Sequence, residues 1–248
     1  MMNKKNITKL VFFCVIAVVG WSCKKTSICE CFEAAGKPAS IIRTIDGFNQ
    51  IVVNDDINVF ISQGAQQVEI QGGENLIENI ATNVSGGVLT LQNNNICDWM
   101  RSYKKSIINV YITIPNLTSI LSNGVGSIQS TDTLRFDTLQ IQTKSASDIN
   151  LLLRSKSVYA HMFGTSDLTL TGSADLFECN FFAGTGFVYC DGFKSGYTFI
   201  SHNSTGDCYV SPLGELDVII YKYGNVYYKG SPSPISVKTF SSGQLIKE

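Results

Sequence analysis

The chain has 248 residues, 44% hydrophobic and only 16% charged, with 19 Lys+Arg against 20 Asp+Glu for a formal charge of -1. A chain of this length buries enough apolar surface to fold without disulfides, and a charge content well under the roughly 25% of ordinary soluble domains excludes disorder and long solvated helices. The even balance, with no basic tract, excludes the electrostatic footprint of a nucleic-acid binder, while 21 Gly with only 5 Pro favours many short strands joined by turns.

Lys4, Lys5 and Lys9 precede an apolar run from Leu10 to Trp21. At 1.5 Å per residue this run cannot cross a hydrocarbon core of about 30 Å, so residues 1–22 read as a signal peptide. Gly20, Trp21 and Ser22 before Cys23 resemble a bacterial lipoprotein signal, although Gly20 stands where Leu is usual. That resemblance implies lipidation of Cys23 and a membrane attachment through acyl chains, each buried CH₂ contributing about 0.8 kcal/mol. Residues 23–40 then read as a tether. Of eight cysteines, Cys14 leaves with the signal and Cys23 carries lipid, so Cys29, Cys31, Cys97, Cys179, Cys190 and Cys208 sit where disulfides are permitted. Cys29 and Cys31 are too close in sequence to bridge each other without strain, and the expected bridge is Cys97 with Cys29 or Cys31. The spacing lacks the paired ligands of a zinc site, so no metal and no cofactor are expected.

Residues 41–115 contain the strand-like runs FNQIVV, INVFISQ, QVEIQ, GVLTLQ and IINVYITIP, with a short helix at ENLIENI and Pro115 closing the segment. They read as an N-terminal β layer that starts or caps a solenoid, since an uncapped end would expose strand edges and core.

Across residues 116–248 a small-x-small-x-apolar pattern returns as GVGSI, SASDI, GTSDL, GTGFV, STGDC, KYGNV and SSGQL. Its last residues, Ile128, Ile149, Leu168, Val188, Cys208, Val226 and Leu245, are 21, 19, 20, 20, 18 and 19 apart. After each comes an i, i+2 apolar pair, such as Ile149/Leu151 or Cys208/Val210, which puts both side chains on one face of a strand. About ten residues before each reference residue stand Leu139/Ile141, Val158/Ala160, Phe177/Cys179, Tyr197/Phe199, Leu216/Val218 and Ile235/Val237, expected to form the opposite wall. No helical half supports a leucine-rich repeat, and a propeller blade needs about 40 residues. The prediction is an all-β chain: a right-handed parallel β-helix-like solenoid of about 20-residue coils, with 41–248 one continuous unit. The small residues suit corners. Asp148, Asp167 and Asp207 recur there, but Phe187, Asn225 and Gln244 take the same place in other coils, which favours turn-capping over calcium. Cys190 and Cys208 face inward but are offset by two residues along neighbouring coils, about 8 Å apart and beyond the roughly 7 Å reach of a bridge. Cys179, Cys190 and Cys208 are therefore expected to be free buried thiols.

The lipoprotein start, the opening FNQIVVNDDINVFISQG, GGENLIENIATNV followed by LTLQ, VYITIPNLTSI followed by NGVGSI, and the late GNVYYKGSP together resemble the head GIN domain family, β-rich proteins of Bacteroidota described as autotransporter adhesins. The resemblance spans roughly residues 45–248. It implies a small-x-Gly-x β-helix with an N-terminal β layer, an adhesin-type function, and no catalytic residue to carry over. The corners KSASD, FGTSD, KYGN and SSGQ depart from the family's Ser-Gly-x-Gly-Asp corner.

Only two histidines are present, His161 and His202. His161 faces outward one coil from Glu178, an acid/base pair that sterics permit, but no nucleophile elbow, P-loop, zincin or dinucleotide motif accompanies it. Regular coils also leave no long loops to build a cleft. The reading is a non-catalytic cell-envelope lipoprotein, lipid-anchored at the outer membrane, that binds a glycan or an envelope protein through its outer face. The alternatives are a purely structural envelope protein and a polysaccharide-acting β-helix enzyme. The candidate surface follows from the strand period: with Val188/Cys190, Cys208/Val210 and Val226/Tyr228 inward, Tyr189, Tyr209 and Tyr227 face out as a ladder, beside Phe187, Asp207 and Asn225.

Overall fold

The computed structural model describes residues 34–96 and 107–248. These form the strands β1 (Pro38–Arg43), β2 (Gln50–Val53), β3 (Ile57–Gln63), β4 (Gln67–Gly73), β5 (Ile80–Ser85), β6 (Val88–Asn93), β7 (Ile108–Ile114), β8 (Ser119–Ser122) and β9 (Ile128–Ser130). From there the chain continues as β10 (Leu134–Thr143), β11 (Ile149–Gly164), β12 (Leu168–Gly184), β13 (Val188–His202), β14 (Cys208–Ile220), β15 (Val226–Tyr228), β16 (Ile235–Thr239) and β17 (Leu245–Lys247). Among the described residues no helix is long and apolar enough to cross a membrane. The run expected as a short helix is a single 3-10 turn, Ile77–Asn79.

The second half is a parallel β-solenoid. The corner-marked residues fall in one column: Ile128 pairs with Ile149, Ile149 with Leu168, Leu168 with Val188, Val188 with Cys208, Cys208 with Val226 and Val226 with Leu245. Each long strand passes through both walls. In β11, for example, Ile149–Ser155 pairs along one wall and Ser157–Met162 along the other. The columns are apolar and closed to solvent, with Leu151, Leu153, Val158, Ala160 and Met162 all buried in one coil. Each fully buried Leu, Val or Met contributes about 1.5–3 kcal/mol, and the coils add backbone bonds such as Ile149 N–H to the Asp167 carbonyl at 2.9 Å.

The first half continues both walls in an order different from the chain's. On one wall β2 lies between β8 and β6, and on the other β3 lies between β9 and β7, all parallel. The coil of residues 50–63 is thus stacked between that of 88–114 and that of 119–130. Antiparallel strands finish this end: β4 on β7, β1 on β4 and β5 on β6. The link from β4 to β5 crosses the open end, and its buried Leu76 and Ile77 plug the core. β1 begins at Pro38, within the last residues of the 23–40 stretch.

The corners are capped across coils. Asp148 Oδ1 accepts the Asp167 N–H (3.3 Å), Asp167 Oδ1 accepts the Phe187 N–H (2.7 Å), Asp207 Oδ1 accepts the Asn225 N–H (2.8 Å), and Asn225 Oδ1 accepts the Gln244 N–H (3.0 Å). The acids and amides therefore satisfy backbone donors that the turn would otherwise strand.

Cys179, Cys190 and Cys208 are free and buried. Cys190 pairs with Val210 and Val188 with Cys208, the two-residue offset expected from the sequence. Burial, aided by the nearby Glu178 carboxylate, pushes the Cys179 thiol up to about 12, and burial likewise raises Cys190 and Cys208, so these thiols stay protonated.

One wall assignment is corrected. Thr198 and Ile200, not Tyr197 and Phe199, are buried, and they pair with Phe177 and Cys179. The register is 20 residues at Thr169–Tyr189 but 21 at Gly172–Phe193, so the segment around Gly192 carries one extra residue. A one-residue slip reverses every side chain beyond it. Ile235 and Val237 hold the expected register with Leu216 and Val218, yet they are 43% and 47% exposed because they line the last coil.

Candidate functional site

The residue after each column residue points outward, and the register joins these into one row along the first wall. It runs Tyr111, Phe60, Gln129, Asn150, Thr169, Tyr189, Tyr209, Tyr227 and Ile246. The row is aromatic towards both ends and polar in the middle. Tyr189 and Tyr209 stack with centroids 5.7 Å apart at 11°, Tyr209 and Tyr227 at 4.9 Å and 10°, and Phe187 stacks on Tyr189 at 5.7 Å and 13°. Phe60 and Tyr111 form a second stack at 4.9 Å. Face-to-face stacking covers the ring faces, so the ladder presents ring edges and hydroxyls to a partner. Tyr189 remains 39% exposed.

Asp207 and Asn225 flank the ladder, but each spends one oxygen on the corner cap of the next coil. Asn225 Nδ2 also donates to the Tyr227 hydroxyl at 3.4 Å. Burial, then the Asp207 carboxylate, raises Tyr209 above the ordinary phenol value, so it remains a hydrogen-bond donor. Beyond the ladder Lys229 Nζ lies 2.8 Å from Asp191 and 3.6 Å from Glu248, which lowers Asp191 chiefly through the hydrogen bond from Lys229. At this exposed position the pair orders the surface more than it stabilises it.

His161 and Glu178 are not brought together as an acid/base pair. His161 pairs with Asn180 and stacks on Phe182 at 5.8 Å, while Glu178 pairs with Tyr159 and accepts from Asn180 Nδ2 at 2.7 Å. A second set of outward aromatics escaped the sequence reading. Phe163 stacks on Phe182 at 4.6 Å, and Tyr221 on Phe240 at 5.2 Å, at the end of the second wall just before the small-residue corner. They stand five or six residues before the reference residues Leu168, Val188, Val226 and Leu245, directly ahead of the small-residue motif, so the same repeat carried the signal that would have found them. A hollow of about 580 Å³ lies at the plugged end, lined by Ala34, Ala35, Pro38, Gly72 and Ile107, away from the tyrosines. Cys23, Cys29, Cys31 and Cys97 lie outside the described residues. No group of three or more metal-ligating side chains occurs among the described residues.

His202 is buried in the core column and meets the edge of Phe181 at 5.3 Å. Its Nε2–H donates to the Gly206 carbonyl at 2.8 Å, and Nδ1 has no protein partner. Burial holds its pKa below the ordinary 6.5, against the opposing pull of the Gly206 carbonyl and Asp207. Since the unfolded chain binds this proton more readily, the fold is stabilised above about pH 6.5 and loses that contribution as pH falls through the depressed native value. Thermal melts between pH 7.5 and 5 should show the midpoint dropping with pH, and His202→Phe should flatten that slope. An unchanged slope would remove His202 as its source.

The residues 47–232 match the model of a family described as "Putative auto-transporter adhesin, head GIN domain". Among curated proteins none matches the chain. Three solved structures are similar in fold. A putative adhesin from Bacteroides fragilis NCTC 9343 has a TM-score of 0.78 at 22% identity, over 86% of this chain and 97% of that one. A putative lipid binding protein from Parabacteroides distasonis ATCC 8503 has a TM-score of 0.67 at 19% identity, over 86% and 97%. A putative adhesin from the same strain has a TM-score of 0.66 at 16% identity, over 86% and 98%.

Proposed function

We propose that this chain, which belongs to the head GIN domain family of putative auto-transporter adhesins, is a non-catalytic, lipid-anchored binding module of the cell envelope. Its outer aromatic and polar row is the binding surface. The observation that carries this reading is the row itself: three stacked tyrosines continue into Thr169, Asn150 and Gln129 on one face. Tyrosine offers rigid apolar area with a hydrogen-bonding tip, and the neighbouring amides and hydroxyls supply donors and acceptors. A glycan or an envelope protein lying along the row would meet hydroxyls repeated at coil spacing. Presenting the purified full chain to a glycan array and to isolated envelope proteins should yield saturable binding, and a chain that binds neither would refute the reading.

The anchoring half rests on the short apolar run and the small residues before Cys23. Cys23→Ala should move the protein from the membrane to the soluble fraction, since acyl chains supply the attachment; unchanged fractionation would defeat it. We also place a disulfide between Cys97 and Cys29 or Cys31. Asn75 Nδ2 donates to the Ala34 carbonyl (2.9 Å), and Asn95 Nδ2 donates to the carbonyl of the adjacent Leu76 (3.1 Å). The described ends of both segments, Ala34 and Asn95, therefore lie at one turn, which supports the pairing. Peptide mapping without reductant should recover the linked peptides; free Cys97 would exclude the bridge.

A further inference from the structure

The two ends of the solenoid differ. At the N-terminal end Leu76 and Ile77 close the core. At the other end, among the described residues, β16 pairs only with β14 and β17 only with β15. Their outer edges leave backbone donors and acceptors unpaired, and the inward column residues Ile235 and Val237 are 43% and 47% exposed, with Phe240 at 68% on the rim. Unpaired edges on two walls with an apolar strip between them are ill-suited to lipid, which cannot satisfy backbone groups. They call for two more strands with an apolar interior between them, the description of another open solenoid end.

We propose that the last coil is a self-association surface, on which two copies of this chain join end to end about a two-fold axis. Such an axis, perpendicular to the solenoid and passing beside Val237, lays β16 antiparallel to β16 of the second copy. Val237 then meets Val237, and Ile235 meets Thr239, so the interior columns that end in Leu216–Ile235, Val218–Val237 and Ile220–Thr239 run on into the second copy. On the outer face Ser236 of one copy lies opposite Lys238 of the other. Because Ser236 pairs with Asp217 within its own chain, the incoming lysine is directed at an acid and no like charges are opposed. The contact is isologous and closes at two copies. A five-residue strand of about 17 Å, with a second wall about 10 Å away, frames an open end of about 170 Å² per copy. That is small beside the roughly 1,200–2,000 Å² of a standard interface, so the dimer should be weak, reversible and concentration-dependent.

The test is oxidative cross-linking of the full chain carrying Val237→Cys, with Val125→Cys as the control. Val125 is 59% exposed and lies near the start of the column that ends six coils later at Leu245. Residues directly opposite in antiparallel strands have Cβ atoms about 4.5–5.5 Å apart, within disulfide range once the thiols approach. Val237→Cys should give a reducible dimer at least ten times more efficiently than the control. Sedimentation of the purified full chain should show a monomer–dimer equilibrium, which Val237→Lys weakens at least tenfold with circular dichroism unchanged. Should that variant misfold, Lys238→Glu, which sets an acid against Asp217, should weaken the dimer as well. Cross-linking no better than the control, a monomer at all concentrations, or open-ended oligomers in place of a dimer would each overturn the proposal.

Discussion

Gly206→Ala should destabilise the protein by about 3 kcal/mol, far more than a typical substitution of about 1 kcal/mol, and lower its melting temperature by about 10 °C. A Cβ built at Gly206 falls 1.8 Å from the Gly186 carbonyl oxygen and 2.8 Å from its carbon. The obstacle is backbone of the next coil, which cannot swing aside as a side chain would. Relief requires the coils to separate at the corner, and Gly186 stands against Ser166 in the same way, with a Cβ 2.0 Å from its carbonyl oxygen. The shift would also disturb the His202 bond to the Gly206 carbonyl and leave a buried imidazole unpaired, which costs more than the bond itself contributed. Gly47→Ala is the control, since nothing lies within 4 Å of a Cβ there; it should change stability by under about 0.5 kcal/mol. Equal melting temperatures for the two variants would mean that the corners are not close-packed.

The same corners made the fold legible. Gly and Ser recur because coils stack within backbone contact there, and their period fixed the column from Ile128 to Leu245 residue by residue. Strand parity then placed Tyr189, Tyr209 and Tyr227 outside. The second wall was harder to phase, because Tyr-Thr-Phe-Ile alternates equally well either way, and only the extra residue near Gly192, visible against Thr169–Gly172, decides for Thr198 and Ile200. The stacking of residues 50–63 between 88–114 and 119–130 was not legible at all. Those strands carry no corner motif, and their partners are set by three-dimensional closure of the walls rather than by chain order. β5 was missed because IATNVS is half polar with its apolar residues at Ile80, Ala81 and Val84, out of strict alternation; among the described residues it is an edge strand, paired only with β6 and half-exposed. The alternation that reveals a half-buried strand is weak in such a sequence.

The central claim is that the tyrosine row binds, and the variant carrying Tyr189→Ser, Tyr209→Ser and Tyr227→Ser tests it most directly. Its cost to the fold is bounded. The three side chains point outward, and removing the stacked neighbours forfeits about 0.2–1 kcal/mol per pair, while the inward columns stay intact. Its cost to binding should be large, because the variant removes every ring and hydroxyl that the ladder presents at coil spacing, and a few aromatic anchors carry most of the energy of an interface. A matching change at the end of the second wall, Phe163→Ser with Phe182→Ser, removes a comparable stack without touching the row. The deciding measurement is titration of the wild type and both variants against the glycan or envelope protein that the wild type binds, with melting curves alongside. Binding weakened at least a hundredfold in the tyrosine variant alone, with its fold retained, is the predicted result; unaltered affinity in a folded tyrosine variant would place the binding surface elsewhere on the solenoid.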